Sequence, residues 1–319
     1  MQKEIIATAK KIRSLKIQGK SAVRKAVAEA LKKSAEKSRA HSILEFRGEI
    51  EKAAQELISA RPTEPEARTA VRIILKAFSM HSQSLDEVRH ETIKAASDYE
   101  KNRSEAMKTI AEYGANLIPA HSVVFTHCHS HTVEEILKKA GHKIEYVIAT
   151  ETRPLFQGRI TATGLSKAGI KVKMIVDSAA SRFMNEADFF MTGADAILST
   201  GAVINKIGTS QISLVAGKED VPHYVATSSH CFEPMSYYGI PEEIEERPPN
   251  EVWNKKLKKL EIKNPAFDIT NAHMIKGIIT EKGVFSPEAF AMQMYNELGI
   301  AGRREEFSSL YKLWHKKEH

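Results

Sequence analysis

The sequence is poor in the features that mark secreted, membrane-spanning and metal-binding proteins. Its 319 residues include only two cysteines, Cys128 and Cys231, and neither belongs to a C-x-x-C pair, so no zinc knuckle or redox motif is indicated. No stretch approaches the roughly 18 consecutive apolar residues that a membrane-spanning helix needs. The first residues are charged throughout and lack the apolar core of a secretory signal. We therefore expect a soluble, cytoplasmic protein without a bound metal.

The charge of the chain is positive and unevenly distributed. The formal net charge is +7, and the excess of lysine and arginine lies within residues 1–110, without interleaved aromatic residues or a nucleic-acid-binding motif. A solvated helical face is the simpler interpretation, and the alternative is attraction of an anionic ligand or nucleic acid. We expect no membrane association, and we do not expect nucleic acid as a partner.

The spacing of apolar residues changes near residue 115. Before that point they recur at helical intervals, as in residues 5–15, and Gly19 and Pro62 fall between helical segments. After about residue 120, short apolar runs alternate with helical stretches, which is typical of a parallel sheet with helices on both faces. We therefore predict an α/β protein, with an N-terminal helical domain over residues 1–115 and a Rossmann-like parallel-sheet domain over residues 116–319.

The second domain contains five apolar runs that predict strands. They begin near Val123, Tyr146, Lys173, Phe189 and Tyr224, and the first three are each followed by a stretch with helical periodicity. Residues 233–262 indicate an irregular excursion or lid. Residues 264–270 and 275–290 together indicate a strand, a turn and a helix. Because sites in such sheets form at the carboxyl ends of strands, we expect four segments to meet in one cluster: His127–Ser130, Thr150–Arg153, Asp177–Ala179 and Gly193–Asp195.

Two of these strand ends carry side chains suited to proton transfer. Cys128 follows a strand and precedes a helix, so the helix N-terminus, with His127 and His129, would favour its thiolate; the alternative is a small buried structural cysteine. Asp195 could act as an acid or a base, and the alternative is that it caps the next helix.

The segment GAVINKIGTSQISL (201–214) indicates phosphate binding. Asn205 and Lys206 lie between two glycines, ahead of an apolar helix predicted from Ile212, and backbone N–H groups beside a lysine can cradle an anion. The alternative is a turn with an ordinary helix cap. A second anion could be held by Gln18, Gly19, Lys20, Ser21, Arg61, Ser130, His131 and Thr132. A thiol and a carboxylate between two anion sites suit the aldose–ketose isomerisation of a bisphosphorylated sugar.

Several longer motifs resemble a known superfamily. They are VINKIGT (203–209), TETRPLFQGRITA (150–162), NPAFDIT (264–270) and IITEKG (278–283). The superfamily contains methylthioribose-1-phosphate isomerase, archaeal ribose-1,5-bisphosphate isomerase and the alpha, beta and delta subunits of translation initiation factor 2B. The resemblance extends from about residue 10 to residue 290, and THCHS (126–130) is most similar to the ribose-1,5-bisphosphate isomerases.

The resemblance implies roles for individual residues. The family's catalytic base and proton donor correspond to Cys128 and Asp195. Its substrate-binding positions correspond to Gln18, Gly19, Lys20, Ser21, Arg61, Ser130, His131, Thr132, Asn205 and Lys206. Two positions depart from the isomerases: Gln18-Gly19-Lys20-Ser21 replaces Arg-Gly-Ala-Gly, and His230 takes the place of a substrate-binding lysine.

The same resemblance implies an activity and its partners. It predicts an isomerase that converts ribose 1,5-bisphosphate to ribulose 1,5-bisphosphate in nucleotide salvage, with no cofactor. A nucleotide is a candidate effector, and a homo-oligomer, either a dimer or a hexamer, is expected. The alternative is a non-catalytic regulatory protein, akin to the initiation factor subunits, that binds a nucleotide or a sugar phosphate.

Overall fold

The chain forms two compact units. The structure, a computed structural model, describes residues 3–14, 16–17, 19–61, 64–76, 84–255, 257–303 and 305. One unit comprises Met1–Glu105 together with Gly299–His319, and the other comprises Ala106–Leu298. No helix within the described residues is both long and apolar enough to cross a membrane. The predicted domain boundary between residues 115 and 116 stays a prediction.

The first unit is built from amphipathic helices. These are α1 (Lys3–Arg13), α2 (Lys20–Glu36), α3 (Ile43–Ser59), α4 (Pro65–Lys76) and the part of α5 (Leu85–Leu117) that precedes Ala106. Apolar residues recur every three or four positions, so each helix buries one face in a shared core that contains Ile12, Val27, Phe46 and Leu57. The predicted helical N-terminal region is confirmed.

The second unit is organised around a seven-stranded sheet. In chain order the strands of the described residues are β1 (Ser122–Thr126), β2 (Ile144–Thr150), β3 (Val172–Ile175), β4 (Phe189–Thr192), β5 (Ala196–Ile197), β6 (Val203–Lys206), β7 (His223–Ala226), β8 (Phe267–Thr270), β9 (Gly277–Thr280) and β10 (Gly283–Phe285). The large sheet has the order β10-β9-β7-β4-β1-β2-β3. All its neighbours pair in parallel except β10, which runs antiparallel to β9.

Helices cover both faces of this sheet, as predicted. They are α6 (His131–Lys139), α7 (Gly158–Lys167), α8 (Ala180–Phe183), α9 (Thr209–Lys218) and α10 (Pro287–Leu298). Successive strand residues point to opposite faces. Val124 and Val147 therefore lie in a core with side chains of α6 and α7, whereas Phe125 and Ile148 lie in another core with side chains of α8 and α9.

Strands β5, β6 and β8 form a second, antiparallel sheet that the sequence did not predict as a separate element. Its order is β5-β6-β8, and its register sets Asn205 opposite Asp268 and Lys206 opposite Phe267. The apolar run 188–198 is therefore not one strand, because β4 ends at Thr192 and β5 pairs elsewhere. This small sheet joins residues about sixty positions apart.

Of the predictions for the segment after β3 and for residues 233–262, the first is wrong and the second is confirmed. The helical stretch predicted after the third strand is wrong, since β3 leads only to 3₁₀ turns and the four-residue helix α8. The irregular excursion over residues 233–262 is confirmed, because its described residues form only 3₁₀ turns, loops and one isolated bridge.

Candidate active site

The predicted strand ends meet at one edge of the large sheet. Strands β3, β2, β1, β4 and β7 lie side by side and run in the same direction, so their carboxyl ends share that edge. Asp177, Thr152, Cys128, Asp195 and His230 follow these five strands in that spatial order. The cluster of strand ends that the sequence predicts is therefore present.

Cys128 has an unusual backbone conformation at the end of β1. Its φ angle is 68°, in the left-handed region that non-glycine residues seldom adopt. The backbone N–H of Cys128 donates to Thr152 Oγ1 over 2.9 Å, and the Cys128 carbonyl accepts from Thr161 Oγ1 over 3.0 Å. The backbone N–H and the carbonyl of Cys128 are thus both hydrogen-bonded to threonine hydroxyls of the segment that follows β2.

The Cys128 thiol is a weaker acid than expected. Burial raises its pKa to about 11, and the negative charges of Asp195 and Asp177 add to the increase, while the positive charge of Lys206 and a hydrogen bond from the His129 backbone lower it. The expected lowering of the Cys128 pKa is wrong in its net direction, because burial outweighs the His129 backbone hydrogen bond that acts in the expected sense. Near neutral pH the thiol is protonated.

Two charged side chains that act on the Cys128 thiol come from distant parts of the sequence. Lys206 and Asp195 influence the pKa of Cys128 although they lie 78 and 67 positions away in sequence. Asp195 is partly exposed, and its backbone N–H donates to the Ile204 carbonyl over 2.8 Å. The element that follows Asp195 is strand β5 rather than a helix, so the capping alternative for this carboxylate is excluded.

The turn between β6 and α9 differs from the predicted anion cradle. Helix α9 begins at Thr209 rather than Ile212, after Gly208 with a φ of 100°. The backbone N–H groups of Gly208 and Ser210 already donate to the Asp268 carboxylate, over 2.7 Å and 3.2 Å. Asp268 therefore occupies two of the backbone donors on which the predicted cradle depends, and phosphate binding at this turn stays a prediction.

Asn205 and Lys206 are neighbours at the end of β6, but their side chains have different surroundings. Asn205 is 6% exposed, and its Nδ2 donates to Thr209 Oγ1 over 2.9 Å. Lys206 is partly exposed, with Nζ 5.0 Å from the centre of the Phe267 ring. The ammonium group faces an aromatic ring and favours the Cys128 thiolate electrostatically.

Ser130, His131 and Thr132 form the start of α6. The Ser130 hydroxyl caps the helix by accepting from the Val133 backbone N–H over 3.4 Å, while His131 is exposed and Thr132 is buried. Gly193, after β4, leaves room for this cap, because a Cβ there would lie 2.7 Å from Ser130 Oγ. The ends of β1 and β4 therefore approach closely.

His230 lies on a 3₁₀ turn directly after β7. The turn covers Ser229–Cys231, and the His230 backbone N–H donates to Ser228 Oγ over 3.1 Å. The Ser229 hydroxyl and backbone N–H donate to the Glu281 carboxylate, which follows β9. The turn that carries His230 is thus anchored by the neighbouring strand end.

The remaining predicted binding residues lie in the helical unit. Gly19 has a φ of 85° and precedes α2, and Lys20 and Ser21 are the first two residues of that helix. Arg61 follows α3 and forms an ion pair with Glu64 over 2.9 Å. Gln18 lies outside the described residues. Substrate binding by these residues stays a prediction.

Sequence reasoning missed the role of Asp268. The residue was seen only as part of the NPAFDIT motif, yet its carboxylate anchors the turn beside Lys206. Burial raises the pKa of Asp268 to about 6, although hydrogen bonds from the Gly208 and Ser210 backbones act in the opposite direction. Its only sequence signal was a carboxylate within a predicted strand. The described residues contain no cluster of His, Cys, Asp and Glu that could hold a metal ion.

Comparison with known proteins establishes the family. The model of the initiation factor 2 subunit family matches residues 16–287. The chain belongs to this family. Members similar to it include ribose 1,5-bisphosphate isomerase of Archaeoglobus fulgidus, at 39% identity over 95% of this chain and 96% of that protein. Methylthioribose-1-phosphate isomerase of Desulforamulus reducens is 32% identical over 87% of this chain and 86% of that protein.

Solved structures of family members share the fold. The crystal structure of translation initiation factor eIF-2B from Pyrococcus horikoshii has a TM-score of 0.78 and 27% identity, covering 91% of this chain and 99% of that one. The crystal structure of 5-methylthioribose 1-phosphate isomerase from the same organism has a TM-score of 0.76 and 29% identity, covering 92% and 88%. The family thus includes proteins named as isomerases and proteins named as initiation factors.

Proposed function

We propose that the protein is a sugar-phosphate isomerase that converts ribose 1,5-bisphosphate to ribulose 1,5-bisphosphate in nucleotide salvage. The observation that carries the proposal is the grouping of a thiol, a carboxylate and an ammonium group at one sheet edge, where Asp195 and Lys206 act electrostatically on Cys128. The 39% identity to a ribose 1,5-bisphosphate isomerase over nearly the whole chain supports this choice of substrate.

In the proposed reaction, Cys128 and Asp195 transfer protons at different atoms of the sugar. Asp195 protonates the ring oxygen as the sugar opens, and the Cys128 thiolate takes the proton from C2. The Cys128 thiol then returns this proton to C1 of the enediolate-like intermediate, and the C2 hydroxyl gives its proton to the Asp195 carboxylate as C2 becomes a carbonyl. Both residues are regenerated, so the reaction needs no external oxidant or reductant. Lys206 stabilises both the thiolate and the negative charge that develops on the substrate.

Phosphate binding in this proposal depends on side chains. Asp268 accepts from the Gly208 and Ser210 backbone N–H groups of the β6–α9 turn, so the side chains of Lys206, Asn205 and His230 are the groups proposed to contact one phosphate. The start of α6, at Ser130–Thr132, is proposed to contact the substrate as well, since backbone N–H groups at a helix N-terminus favour anions. Gln18, Gly19, Lys20, Ser21 and Arg61 are proposed for the second phosphate on the resemblance alone.

The second candidate function is a regulatory protein that binds a sugar phosphate or a nucleotide without turning it over. It is favoured by the similarity to the structure named as translation initiation factor eIF-2B and by the high pKa of the Cys128 thiol. Such a protein would need the anion-binding side chains but not a thiolate at Cys128.

Isomerase assays on matched variants separate the two functions. The parent protein should form ribulose 1,5-bisphosphate, and Cys128→Ser should lower kcat by about a thousandfold or more, because a serine hydroxyl is a far weaker acid than a thiol. Cys231→Ala, a change at the buried second cysteine, is the control and should retain activity. Ligand-induced increases in Tm should be similar for the parent and Cys128→Ser. A Tm shift without turnover in the parent would favour the regulatory function.

A further inference from the structure

The backbone conformations next to the thiol point to residues whose role is positional. Cys128 and Thr152 both adopt left-handed φ angles, of 68° and 62°, and they contact each other through the hydrogen bond from the Cys128 N–H to Thr152 Oγ1. A β-branched residue such as Thr152 seldom adopts this conformation unless its surroundings hold it there. Two residues with left-handed φ angles in contact, one of them the proposed base, therefore require an explanation.

Thr152 is held from the far side by Asp177. The Asp177 carboxylate accepts from the backbone N–H groups of Thr152 and Arg153, each over 2.7 Å. The hydroxyl of Thr152 is completely buried and faces Cys128. The ends of β3, β2 and β1 are thus joined, from the Asp177 carboxylate through Thr152 to the backbone of Cys128.

A second row of hydrogen bonds continues from Thr152 to the turn that carries Lys206. Thr152 Oγ1 lies 3.3 Å from Thr150 Oγ1, which lies 2.6 Å from His127 Nδ1. His127 Nε2 lies 2.9 Å from the Ile207 carbonyl oxygen, directly after Lys206. A Cβ on Gly208 would come within 3.2 Å of this ring nitrogen, so the glycine permits the approach.

The donor and acceptor roles along this row are determined by its last member. The Ile207 carbonyl can only accept, so His127 Nε2 carries a proton and donates. Burial lowers the pKa of His127, so the ring is neutral and Nδ1 accepts the hydroxyl proton of Thr150. Thr150 Oγ1 in turn accepts from the Thr152 hydroxyl, and Thr152 accepts from the Cys128 N–H. All donors point the same way, from Cys128 to Ile207.

We propose that Thr152 and His127 are positioning residues that hold Cys128 and the Lys206 turn in one fixed relative placement through this chain of hydrogen bonds. The proposal rests on the proposed function for its effect on catalysis, but the coupling of Cys128 to Lys206 is independent of any activity. Removing one hydrogen bond of this row should leave the Cys128 thiol and the Lys206 ammonium group present in the protein. The electrostatic effect of Lys206 on the thiol should then be lost.

The catalytic test compares changes at two threonines. Thr152→Val removes the hydroxyl at nearly constant shape, Thr152→Ser retains it, and Thr163→Val makes the same change at an exposed threonine of α7. We expect Thr152→Val to lower kcat about ten- to a hundredfold with KM changed less than about twofold, since small misplacements at a reacting centre are costly. Thr152→Ser should recover activity to within about threefold, and Thr163→Val should match the parent. An equal loss in the Ser and Val variants would overturn the role of the hydroxyl.

The test of coupling uses the alkylation rate of Cys128. Peptide-resolved mass spectrometry distinguishes Cys128 from Cys231, and the rate with iodoacetamide at pH 9 follows the thiolate fraction. Lys206→Gln should slow alkylation by about threefold or more in the parent but by less than about 1.5-fold in Thr152→Val and in His127→Gln. If Lys206→Gln has the same effect in all backgrounds, the positioning role is overturned.

The proposal remains testable if Thr152→Val does not fold or if the parent protein is inactive. If Thr152→Val does not fold, Thr152→Gly removes the same hydroxyl while favouring the left-handed φ, and the same alkylation comparison then decides. If the parent lacks isomerase activity, the proposed function fails, but the alkylation comparison still confirms or overturns the coupling between Cys128 and Lys206.

Discussion

At the scale of single residues, the proposed chemistry depends on a thiol that is protonated at neutral pH. Burial and two nearby carboxylates raise the pKa of Cys128 to about 11, and only Lys206 and one backbone hydrogen bond oppose them. The site therefore favours a neutral thiol before substrate binds. The proposed base is a minor species whose amount follows pH.

This protonation state predicts the pH dependence of Cys128 reactivity. Below a pKa of about 11 the thiolate fraction rises tenfold with each pH unit, so the rate of Cys128 alkylation by iodoacetamide should rise with a slope near one between pH 7.5 and about 9.5. Peptide-resolved mass spectrometry across the series, with the fold checked by circular dichroism at each pH, provides the measurement. An alkylation rate that does not change over this range would contradict the raised pKa of Cys128.

His230 allows a prediction about substrate affinity. It lies at the end of β7, where the isomerases that this chain resembles have a lysine, and a lysine carries a full charge at neutral pH. If His230 faces a phosphate, His230→Lys should lower KM for the bisphosphate about ten- to a hundredfold, from a charge-assisted contact of about 1.5–3 kcal/mol. His142→Lys, on the exposed turn that precedes β2, is the comparison for a general gain of charge. An equal or larger effect there would argue against a specific contact at His230.

At the scale of elements, the turn between β6 and α9 depends on Asp268 from β8. Burial raises the pKa of Asp268 from 3.8 to about 6. Between these values the folded protein binds a proton that the unfolded chain does not, so this group's contribution to stability falls as pH rises from about 4 to 6. In Asp268→Asn that contribution is absent. The parent should therefore lose stability relative to Asp268→Asn over this interval, and the difference should be constant above about pH 7.

Urea unfolding of both proteins at several pH values measures this difference. Asp268→Ala, which also removes the acceptor for the α9 N-terminus, should be about 1–2 kcal/mol less stable than Asp268→Asn. A stability difference between the parent and Asp268→Asn that stays constant from pH 4 to 7 would contradict the inferred pKa.

Two glycines of the α/β unit should respond to alanine in opposite ways. A Cβ on Gly158, at the start of α7, would lie 1.8 Å from the Thr150 carbonyl oxygen, whereas Gly217 in α9 has no atom within 4 Å of that position. Gly158→Ala should destabilise the protein by more than about 2 kcal/mol, since backbone must move. Gly217→Ala should stabilise it by about 0.5–1 kcal/mol through helix propensity. Thermal unfolding of both variants measures the two effects. Equal changes in Tm would contradict the predicted steric clash at Gly158.

At the scale of the whole molecule, we expect self-association. The resemblance implies a homo-oligomer, either a dimer or a hexamer. Mass photometry from nanomolar to micromolar protein should show dimers or hexamers, with a nucleotide such as AMP tested as a candidate effector of size and activity. A monomer at all concentrations, with and without nucleotide, would contradict the expectation.

Much of the fold could be predicted because it depends on local pattern. Short apolar runs in the sequence predict where five strands start, namely β1, β2, β3, β4 and β7. The helical spacing of apolar residues likewise predicts the helices of the first unit. Strands of two to four residues, such as β5 and β6, carry too little pattern to be distinguished from loops. The helix predicted after β3 was wrong because residues 177–186 form short turns against α9 instead.

The sequence by itself determined the helical first region, the chain order of five strands of the large sheet, the family and the edge at which the polar strand ends would meet, because alternation and motif order are properties of neighbouring residues. Only the tertiary structure decided the protonation of Cys128, since the pKa depends on burial and on charges that are distant in sequence. It also decided that Asp268, rather than an external anion, accepts the donors beside Gly208. The second outcome depends on antiparallel pairing between β6 and β8, a long-range contact that local pattern does not encode.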